Sequence, residues 1–361
     1  MLECQNDTKI GHIVLNSPET LNSLTLNMVN QISDLLDQWE KSTQIKKVFK
    51  SGSVEKANCA GGDIRALYES MCSNEGPVFA EDFFESEYRL DYKLHNYSKP
   101  VISILDGIVM GGGAGLMFAS SYKIATERTT FAMPEIGVGL FPDVGFTHEI
   151  KKLPKGVGLY IMLTATNLHA TDTNFCKLTD GILNSKDFDS FYKDMKSLAW
   201  KSNYEDNIKL LDSLINQKKY SLGIRDIPES KIEKELIKIQ KLTEGENLVS
   251  VVANILSNSS EDDWYRKGKQ SLQNGSPTSA HLIWLQCENS LKLNLKEVFS
   301  FELNLATQIT RKGDFKEGVR ALIIDKDNNP KWKFNSIEKV SQDWINEHTK
   351  SAWETNPLED L

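Results

Sequence analysis

The sequence is poor in the residues that mark a disulfide-stabilised, zinc-binding or membrane-spanning protein. Its five cysteines are odd in number and never occur as a CxxC pair, and its six histidines are scattered. This pattern is typical of free thiols in a reducing compartment and supplies no set of metal ligands. No apolar run approaches the roughly 20 residues that a membrane-spanning helix needs. The sequence therefore predicts no disulfide framework, no metal site and no association with a membrane.

An excess of positive charge is also missing. The 361 residues contain 42 Lys and Arg against 50 Asp and Glu, which gives a formal net charge of −8. This balance argues against nucleic acid as a partner. The first nine residues, MLECQNDTK, form neither a secretory signal nor an Arg- and Ser-rich leader. We expect a cytoplasmic protein if the source is bacterial, and a mitochondrial one if it is eukaryotic and a leader has been removed.

The rest of the composition is that of an ordinary globular protein, with 40% hydrophobic and 25% charged residues. Apolar residues at three- and four-residue steps predict an amphipathic helix over residues 25–40. From about residue 186, Lys, Asp, Asn and Ser dominate, with apolar residues at helical spacing. We therefore predict a core with the active site at residues 1–190 and a helical region at residues 191–361, with a linker at 223–228.

Two glycine-rich turns stand where an apolar stretch gives way to a helical pattern. The first is CAGGDIR at residues 59–65. The second follows a Pro-bounded apolar run at 101–105, which predicts a buried strand, and contains Gly111, Gly112, Gly113 and Gly115. Free backbone N–H groups at such a junction attract negative charge. Each turn alone is weak evidence of function, since glycine-rich turns are common.

Three carboxylates accompany these turns. Glu135 follows Pro134, and Asp143 lies in the sequence FPDVG. Two N–H-rich turns and a carboxylate are the parts of an acyl-transfer site, in which the backbone stabilises an oxyanion and the carboxylate acts as base or nucleophile. Glu87 lies in FFESEY within a predicted helix at 79–94, and periodicity alone places it on a solvated face.

Four blocks in this order carry a family resemblance: CAGGDIR, MGGGAGL, FAMPEIGVGLFPDVG and DFKEGVRALIIDKDNNPKWK. They resemble the crotonase, or enoyl-CoA hydratase/isomerase, superfamily, and within it the 3-hydroxyisobutyryl-CoA hydrolase branch. The resemblance covers about residues 10–334 and is weakest at 185–274. It implies an α/β fold, a crotonase-like spiral of ββα repeats, with a helical C-terminal region over the coenzyme A site. It also implies hydrolysis of a short-chain 3-hydroxyacyl-CoA, with 3-hydroxyisobutyryl-CoA in valine breakdown as the expected substrate.

The resemblance further implies a role for each matching residue. The N–H groups of Gly62 and Gly112 would be the oxyanion donors, and Glu135 the catalytic carboxylate. Asp143 would hold the acyl hydroxyl, with Glu87 as a further contact in the substrate pocket. The residues implied at coenzyme A are Ala60, Gly62, Asp63, Ile64 and Lys331, with Lys326 and Lys333 as further candidates for its phosphates. Coenzyme A is then part of the substrate and no separate cofactor is expected; a homo-oligomer stays open.

The sequence also departs from the family pattern. Gly115 occupies the position of the first carboxylate of a hydratase, so hydration is poorly supported. An isomerase, which needs one carboxylate, stays open, as does a non-catalytic subunit of a larger assembly such as an organellar ribosome. The branch usually continues with more glycine where this sequence has FTHE at residues 146–149, and Ala165 replaces a glycine. Both changes bear on acyl selectivity. His148 is a candidate pocket group, although a single histidine more often serves packing.

Overall fold

The computed structural model describes residues 2–7, 9–54, 56–201, 203–219 and 227–361. Residues 223–226 of the predicted linker lie outside these ranges. The chain forms two compact units, each assembled from three separate segments. The first unit contains Met1–Gly62, Lys93–Phe131 and Leu168–Lys234, and the second contains Asp63–Tyr92, Ala132–Asn167 and Glu235–Leu361. The division at residue 190 assigns the active site to residues 1–190 and a helical region to residues 191–361. It concerns roles and not compact units, and it stays a prediction.

In the described part of the chain, ten strands form two sheets. The strands are β1 Leu2–Asp7, β2 Ile10–Leu15, β3 Lys47–Gly52, β4 Ala57–Cys59, β5 Val101–Leu105, β6 Ile108–Met110, β7 Tyr122–Thr126, β8 Thr130–Ala132, β9 Leu168–His169 and β10 Gly181–Leu183. The larger sheet has the order β1-β2-β3-β5-β7-β10, and the smaller one has the order β4-β6-β8-β9. In the larger sheet β1 pairs antiparallel to β2, and the remaining pairs are parallel.

Consecutive strands are divided between the two sheets. In each of the pairs β3/β4, β5/β6 and β7/β8, the first strand joins the larger sheet and the second joins the smaller one. The turn between β5 and β6 requires glycine, because Gly107 has a φ of +81° and a Cβ there would lie 2.5 Å from the carbonyl carbon of Lys56. This recurring strand pair places the turns after β4 and β6 side by side.

Sixteen α-helices complete the described part of the chain. They are α1 Leu26–Lys41, α2 Ile64–Cys72, α3 Val78–His95, α4 Gly112–Phe118, α5 Phe146–Glu149, α6 Val157–Thr164, α7 Ala170–Phe175, α8 Phe188–Ser197, α9 Tyr204–Lys219, α10 Lys231–Leu242, α11 Leu248–Ser257, α12 Asp263–Asn274, α13 Pro277–Asn289, α14 Leu295–Lys312, α15 Phe315–Val319 and α16 Gln342–Thr349. None of the helices in the described ranges combines the length and the apolar character that crossing a bilayer requires.

Local sequence accounts for the well-predicted elements. The side chain of Thr25 accepts a hydrogen bond from the N–H of Met28 and so caps α1. The buried face of this helix consists of Met28, Val29, Ile32, Leu36 and Trp39. All five residues of β5, VISIL, are buried, as expected for a strand in the middle of a parallel sheet. Burial of such apolar residues is the main favourable contribution to folding.

The second unit is mainly helical. Its longest complete helix, α14, begins with a capping box between Asn294 and Glu297. Phe299 of α14 packs against Tyr88 of α3, with ring centroids 5.8 Å apart. Glu302 lies in the same helix and is fully buried. This packing brings carboxylates from α3 and α14 into the interior of the unit.

Candidate active site

The two glycine-rich turns lie next to each other in the first unit. Gly61 follows β4 with a φ of +110°, and Gly111 follows β6 with a φ of +48°. A Cβ on Gly61 would lie 3.5 Å from the carbonyl oxygen of Met110 and 3.9 Å from the nitrogen of Gly112. Both turns therefore adopt backbone that favours glycine, and they approach each other closely.

The N–H groups assigned to the oxyanion are available. Within the described ranges, the N–H of neither Gly62 nor Gly112 donates a hydrogen bond. Neighbouring groups are used, since the N–H of Ala60 donates to Leu21 and the carbonyl of Gly61 accepts from Leu24. The helix after the second turn begins at Gly112. The positive φ belongs to Gly111, so Gly112 needs no left-handed backbone.

Gly113 allows close packing of α4, and Gly115 leaves its position without a side chain. A Cβ on Gly113 would lie 2.4 Å from the carbonyl oxygen of Cys59, so α4 packs on β4 only because this side chain is missing. Gly115 is buried within α4, and its N–H donates to the carbonyl of Gly111. The position at which a hydratase carries its first carboxylate thus bears no side chain.

Five buried carboxyl groups gather in the second unit, and we refer to them as the carboxylate cluster: Glu87, Asp91, Glu135, Asp143 and Glu302. Each is at most 5% exposed. They come from α3, from a 3₁₀ turn at Glu135–Val138, from the loop before α5 and from α14. The structure thus brings together Glu87, Glu135 and Asp143, which are far apart in sequence. The expectation that Glu87 lies on a solvated face is wrong, because α3 buries that face within the unit.

Asp143 is held by a network of hydrogen bonds. The hydroxyl of Tyr88 donates to Oδ2 of Asp143 over 2.6 Å. The carboxylate of Glu302 accepts from the N–H of Gly145 at 2.7 Å and from the N–H of Thr147 at 3.1 Å. The amide of Gln286 donates to Oγ1 of Thr147 at 2.9 Å. Helices α13 and α14 therefore fix the loop that carries Asp143.

This loop has a strained backbone. Val144 has a φ of +54°, which is rare for a β-branched residue, and Gly145 follows with +84°. Such backbone persists only where the surroundings determine it. The bonds from Glu302 and Gln286 supply that support, since they hold Gly145, Thr147 and the carbonyl of Pro142.

Burial dominates the electrostatics of the cluster. It raises the pKa of Asp143 to about 6, and the hydrogen bond from Tyr88 opposes this shift. Burial and then the charge of Asp143 raise the pKa of Glu135 and of Glu87 well above the ordinary range. The pKa of Glu302 rises to about 8, again mainly through burial. Asp143, with a pKa of about 6, therefore ionises at lower pH than Glu302, whose pKa is about 8.

Two oxygens of the cluster have capacity for a ligand. Oε2 of Glu135 and Oε1 of Glu87 are buried and make no hydrogen bond to any described residue. A buried carboxyl oxygen without a partner costs free energy, which a substrate hydroxyl or a water molecule would recover. Among the described residues, no group of three or more His, Cys, Asp and Glu side chains is arranged to hold a metal ion.

The remaining predicted residues make structural contacts. Asp63 caps α2 through the N–H of Ala66, and Ile64 is the first residue of that helix. The backbone N–H of Lys331 donates to Glu317 at 2.6 Å. The ammonium of Lys333 lies 4.4 Å above the ring of Trp344. Lys326 adopts a left-handed turn with a φ of +56°. Their assignment to coenzyme A stays a prediction.

The side chain of His148 contacts the neighbouring Glu149. Nδ1 of His148 lies 3.4 Å from Oε1 of Glu149, which pairs with Lys152. The sequence interpretation missed Tyr88, Asp91, Gln286 and Glu302. A signal for Glu302 exists, because it is a charged residue within the apolar stripe of α14, between Phe299 and Leu303.

Comparison with known proteins places this architecture in a family. A family model described as enoyl-CoA hydratase/isomerase matches residues 10–349. Two relatives carry the name "3-hydroxyisobutyryl-CoA hydrolase, mitochondrial". The one from Danio rerio is 36% identical over 93% of this chain and 86% of its own, and the one from Homo sapiens is 33% identical over 94% and 86%.

Solved structures agree. A carnitinyl-CoA dehydratase from Mycobacterium thermoresistibile matches with a TM-score of 0.87 and 25% identity, over 100% of this chain and 99% of that one. An enoyl-CoA hydratase from Rhodobacter sphaeroides matches with a TM-score of 0.85 and 25% identity, over 97% of both chains. These matches confirm the crotonase-like α/β fold predicted from the sequence, and the chain belongs to the enoyl-CoA hydratase/isomerase family.

Proposed function

We propose that this protein hydrolyses a short-chain 3-hydroxyacyl-CoA thioester, with 3-hydroxyisobutyryl-CoA as the substrate and 3-hydroxyisobutyrate and coenzyme A as the products. One observation carries the proposal: Glu135 and Asp143 are buried together, while Gly115 offers no carboxylate for hydration. The names of the relatives that cover most of the chain support the same reaction and, through it, a place in valine breakdown.

The glycine turns would stabilise the charge that develops during the reaction. A thioester carbonyl under attack becomes an oxyanion, and each aimed N–H donor stabilises that transition state by roughly 3–4 kcal/mol. We assign this role to Gly62 and Gly112, whose N–H groups have no acceptor in the described part of the chain. A side chain is not needed at either position.

Glu135 is the proposed catalytic carboxylate. Its raised pKa makes it a stronger base once ionised, and its Oε2 has no described partner. It acts either on the carbonyl carbon, forming an anhydride that water then cleaves, or on a water molecule that attacks directly. In both routes the C–S bond breaks, coenzyme A leaves as a thiol with one proton, and water supplies the acid oxygen.

Asp143 is proposed to hold the 3-hydroxyl group of the substrate. Its pKa of about 6 leaves it mostly ionised at neutral pH, so it accepts a hydrogen bond from a hydroxyl. The free Oε1 of Glu87 provides a second polar contact. This arrangement favours hydroxyacyl groups over plain acyl groups, since an unpaired buried carboxylate is costly.

In this scheme coenzyme A is part of the substrate, and the reaction uses no separate cofactor. Ala60, Gly62, Asp63, Ile64 and Lys331 are the residues we propose at its binding site. The names of the two relatives from Danio rerio and Homo sapiens describe those proteins as mitochondrial. We propose the same location for this protein if its source is eukaryotic.

A thiol-release assay across short acyl-CoA thioesters tests the proposal. We expect kcat/KM for 3-hydroxyisobutyryl-CoA to exceed that for isobutyryl-CoA, which lacks only the hydroxyl, by at least about tenfold. Asp143→Asn should narrow this ratio; equal losses on both substrates would contradict a hydroxyl-holding role. A folded protein that turns over no 3-hydroxyacyl-CoA refutes the proposal.

The geometry of the site is also compatible with one other reaction of the same family, isomerisation. An isomerase needs a single carboxylate, and Glu135 provides one. Monitoring the absorbance of crotonyl-CoA, and of an enoyl-CoA with a displaced double bond, separates hydration and isomerisation from hydrolysis. A change in either without thiol release would favour the alternative. Co-purification with RNA or a large particle, without turnover, would favour a structural subunit.

A further inference from the structure

Six lysines line one cavity of the first unit, which has a volume of about 540 Å³. We call it the lysine cavity, and its lysines are Lys9, Lys46, Lys47, Lys99, Lys196 and Lys201. Trp200 and Tyr204 contribute aromatic rings to the wall. This concentration of positive charge occurs in a chain whose net charge is −8. Composition alone therefore does not account for it.

The cavity lies at the amino ends of parallel strands. Lys9 precedes β2, Lys46 precedes β3, and Lys99 and Pro100 precede β5. The remaining wall comes from the end of α8 and the segment that leads to α9. The glycine turns of the proposed oxyanion site instead follow the carboxyl ends of β4 and β6. The lysine cavity is therefore a second site, and it does not depend on the proposed function.

Five of the six lysines have no carboxylate beside them in the described part of the chain. Among the described residues, no carboxylate oxygen lies within 4 Å of the ammonium groups of Lys9, Lys46, Lys47, Lys99 or Lys201. Burial lowers the pKa of Lys99, and the charge of Glu40 opposes this shift. Lys47 is only 1% exposed, and burial together with the charge of Lys9 lowers its pKa to about 7. Such mutual repulsion is relieved when an anion binds among these groups.

The walls of the cavity are held in place. The ammonium of Lys47 lies 4.0 Å from the ring centroid of Trp200, and Nε1 of Trp200 donates to the carbonyl of Met195 at 3.0 Å. The side chain of Asn207 bonds both the N–H and the carbonyl of Lys201. The ammonium of Lys99 donates to the carbonyl of Ser42 at 2.9 Å. The site is thus preorganised and does not consist of free surface side chains alone.

We propose that the lysine cavity binds a small molecule of the nucleoside diphosphate class. Ammonium groups act as compact point charges for phosphate oxygens, and several of them match a ligand with more than one phosphate. The rings of Trp200 and Tyr204 provide a surface on which a planar base stacks. A volume of about 540 Å³ falls within the range of small-molecule pockets.

Titration calorimetry of the full chain with ADP and with inorganic pyrophosphate tests this inference. At about 50 mM salt we expect saturable binding of ADP below 1 mM, roughly tenfold tighter than that of pyrophosphate, and weaker binding of both at higher salt. Equal affinities would contradict the role of the aromatic wall and overturn the nucleotide class. The absence of saturable ADP binding overturns the whole proposal.

Charge-reversal variants locate the site. Lys46 and Lys201 are exposed, so Lys46→Glu and Lys201→Glu are expected to fold and to bind ADP at least about tenfold more weakly. Lys193→Glu is the matched control, because Lys193 is exposed on α8 but does not line the cavity. Equal weakening by Lys193→Glu would show that net charge, not the cavity, determines binding, and would refute the proposal.

A buried variant separates binding from folding. Lys47→Met removes a buried cation, so we expect its Tm to rise or stay unchanged while its affinity for ADP falls at least about tenfold. Unchanged affinity in Lys47→Met would contradict the inference. These readouts involve no thioester turnover, so they succeed or fail independently of the proposed hydrolase activity.

Discussion

Tyr88 donates a 2.6 Å hydrogen bond to Asp143, and both side chains are buried in the second unit. The bond favours the ionised carboxylate and so limits the rise of the pKa that burial causes. The charge of Asp143 in turn raises the pKa of Glu135 and of Glu87. The Tyr88 hydroxyl thus acts, through the charge of Asp143, on the pKa of Glu135 and of Glu87 as well.

Tyr88→Phe is expected to lower kcat/KM for 3-hydroxyisobutyryl-CoA by about 10- to 100-fold near pH 6.5, the scale of a hydrogen bond to a charged group. Without the bond the pKa of Asp143 rises further above its ordinary value, so ionisation requires a higher pH. The loss should therefore shrink toward pH 8. A pH profile of kcat/KM for both proteins measures this difference.

Tyr122→Phe provides the control for that variant. The hydroxyl of Tyr122 also donates to an aspartate, Asp212, over 2.6 Å, but this pair lies in the first unit. The control removes the same type of bond and should leave the pH profile unchanged. A loss in Tyr88→Phe that is constant from pH 6 to 8 would argue against a role through Asp143.

Glu135→Gln should reduce turnover by at least about a thousandfold and leave the affinity for substrate within about tenfold. The substitution keeps the shape of the side chain but removes the base or nucleophile. Single-turnover kinetics and direct binding measurements separate the two quantities. Glu149→Gln is a suitable control, since Glu149 is equally buried but pairs with Lys152. A Glu135→Gln protein with a tenth of the normal rate would exclude Glu135 as the catalytic carboxylate.

Asp143→Asn should move the acid limb of the pH–kcat/KM profile to lower pH. The pKa of Glu135 is raised by burial and then by Asp143, so removing that charge lowers it and the carboxylate forms at lower pH. The ionisation of Asp143 itself, near pH 6, also disappears. Both changes act in the same direction. The midpoint of the limb, not its height, is the quantity to compare, and a shift to higher pH would contradict this coupling.

Gly112→Ala should lower kcat/KM by about a hundredfold or more, on the scale of one lost oxyanion donor. Its backbone has no positive φ, so the effect must come from the added methyl beside the N–H and not from backbone strain. Gly113→Ala is the matched comparison, because its Cβ would lie 2.4 Å from Cys59. It should lose about 1–3 kcal/mol of unfolding free energy and lose activity only with folding. If the two variants behave alike, the assignment of Gly112 as donor is incorrect.

The sequence predicts local elements well because their patterns are local. The predicted helix at 25–40 is observed at Leu26–Lys41, and the strand at Val101–Leu105 matches residue for residue. The same reasoning mispredicts the exposure of Glu87, because its burial depends on elements distant in sequence. A carboxylate in a helical pattern is predicted to be exposed to solvent unless the groups that pack against it are known. The family motifs identified Glu87 where periodicity did not.

Residues without a motif could not be found in this way. Gln286 supports the active-site loop from a helix with no recognisable signature, and Lys47 is a lysine inside a buried strand. Their positions become meaningful only when the fold brings Thr147 or Trp200 beside them.

The support of the Asp143 loop also bears on synthesis by the ribosome. Glu302 follows Gly145 by 157 residues, and Gln286 follows Pro142 by 144 residues. At 5–20 residues per second, roughly 8–30 s pass between the addition of Gly145 and that of Glu302. During this interval the hydrogen bonds that support the left-handed backbone of Val144 cannot yet form. The carboxylate cluster is therefore completed late in translation, when most of the polypeptide has left the ribosome.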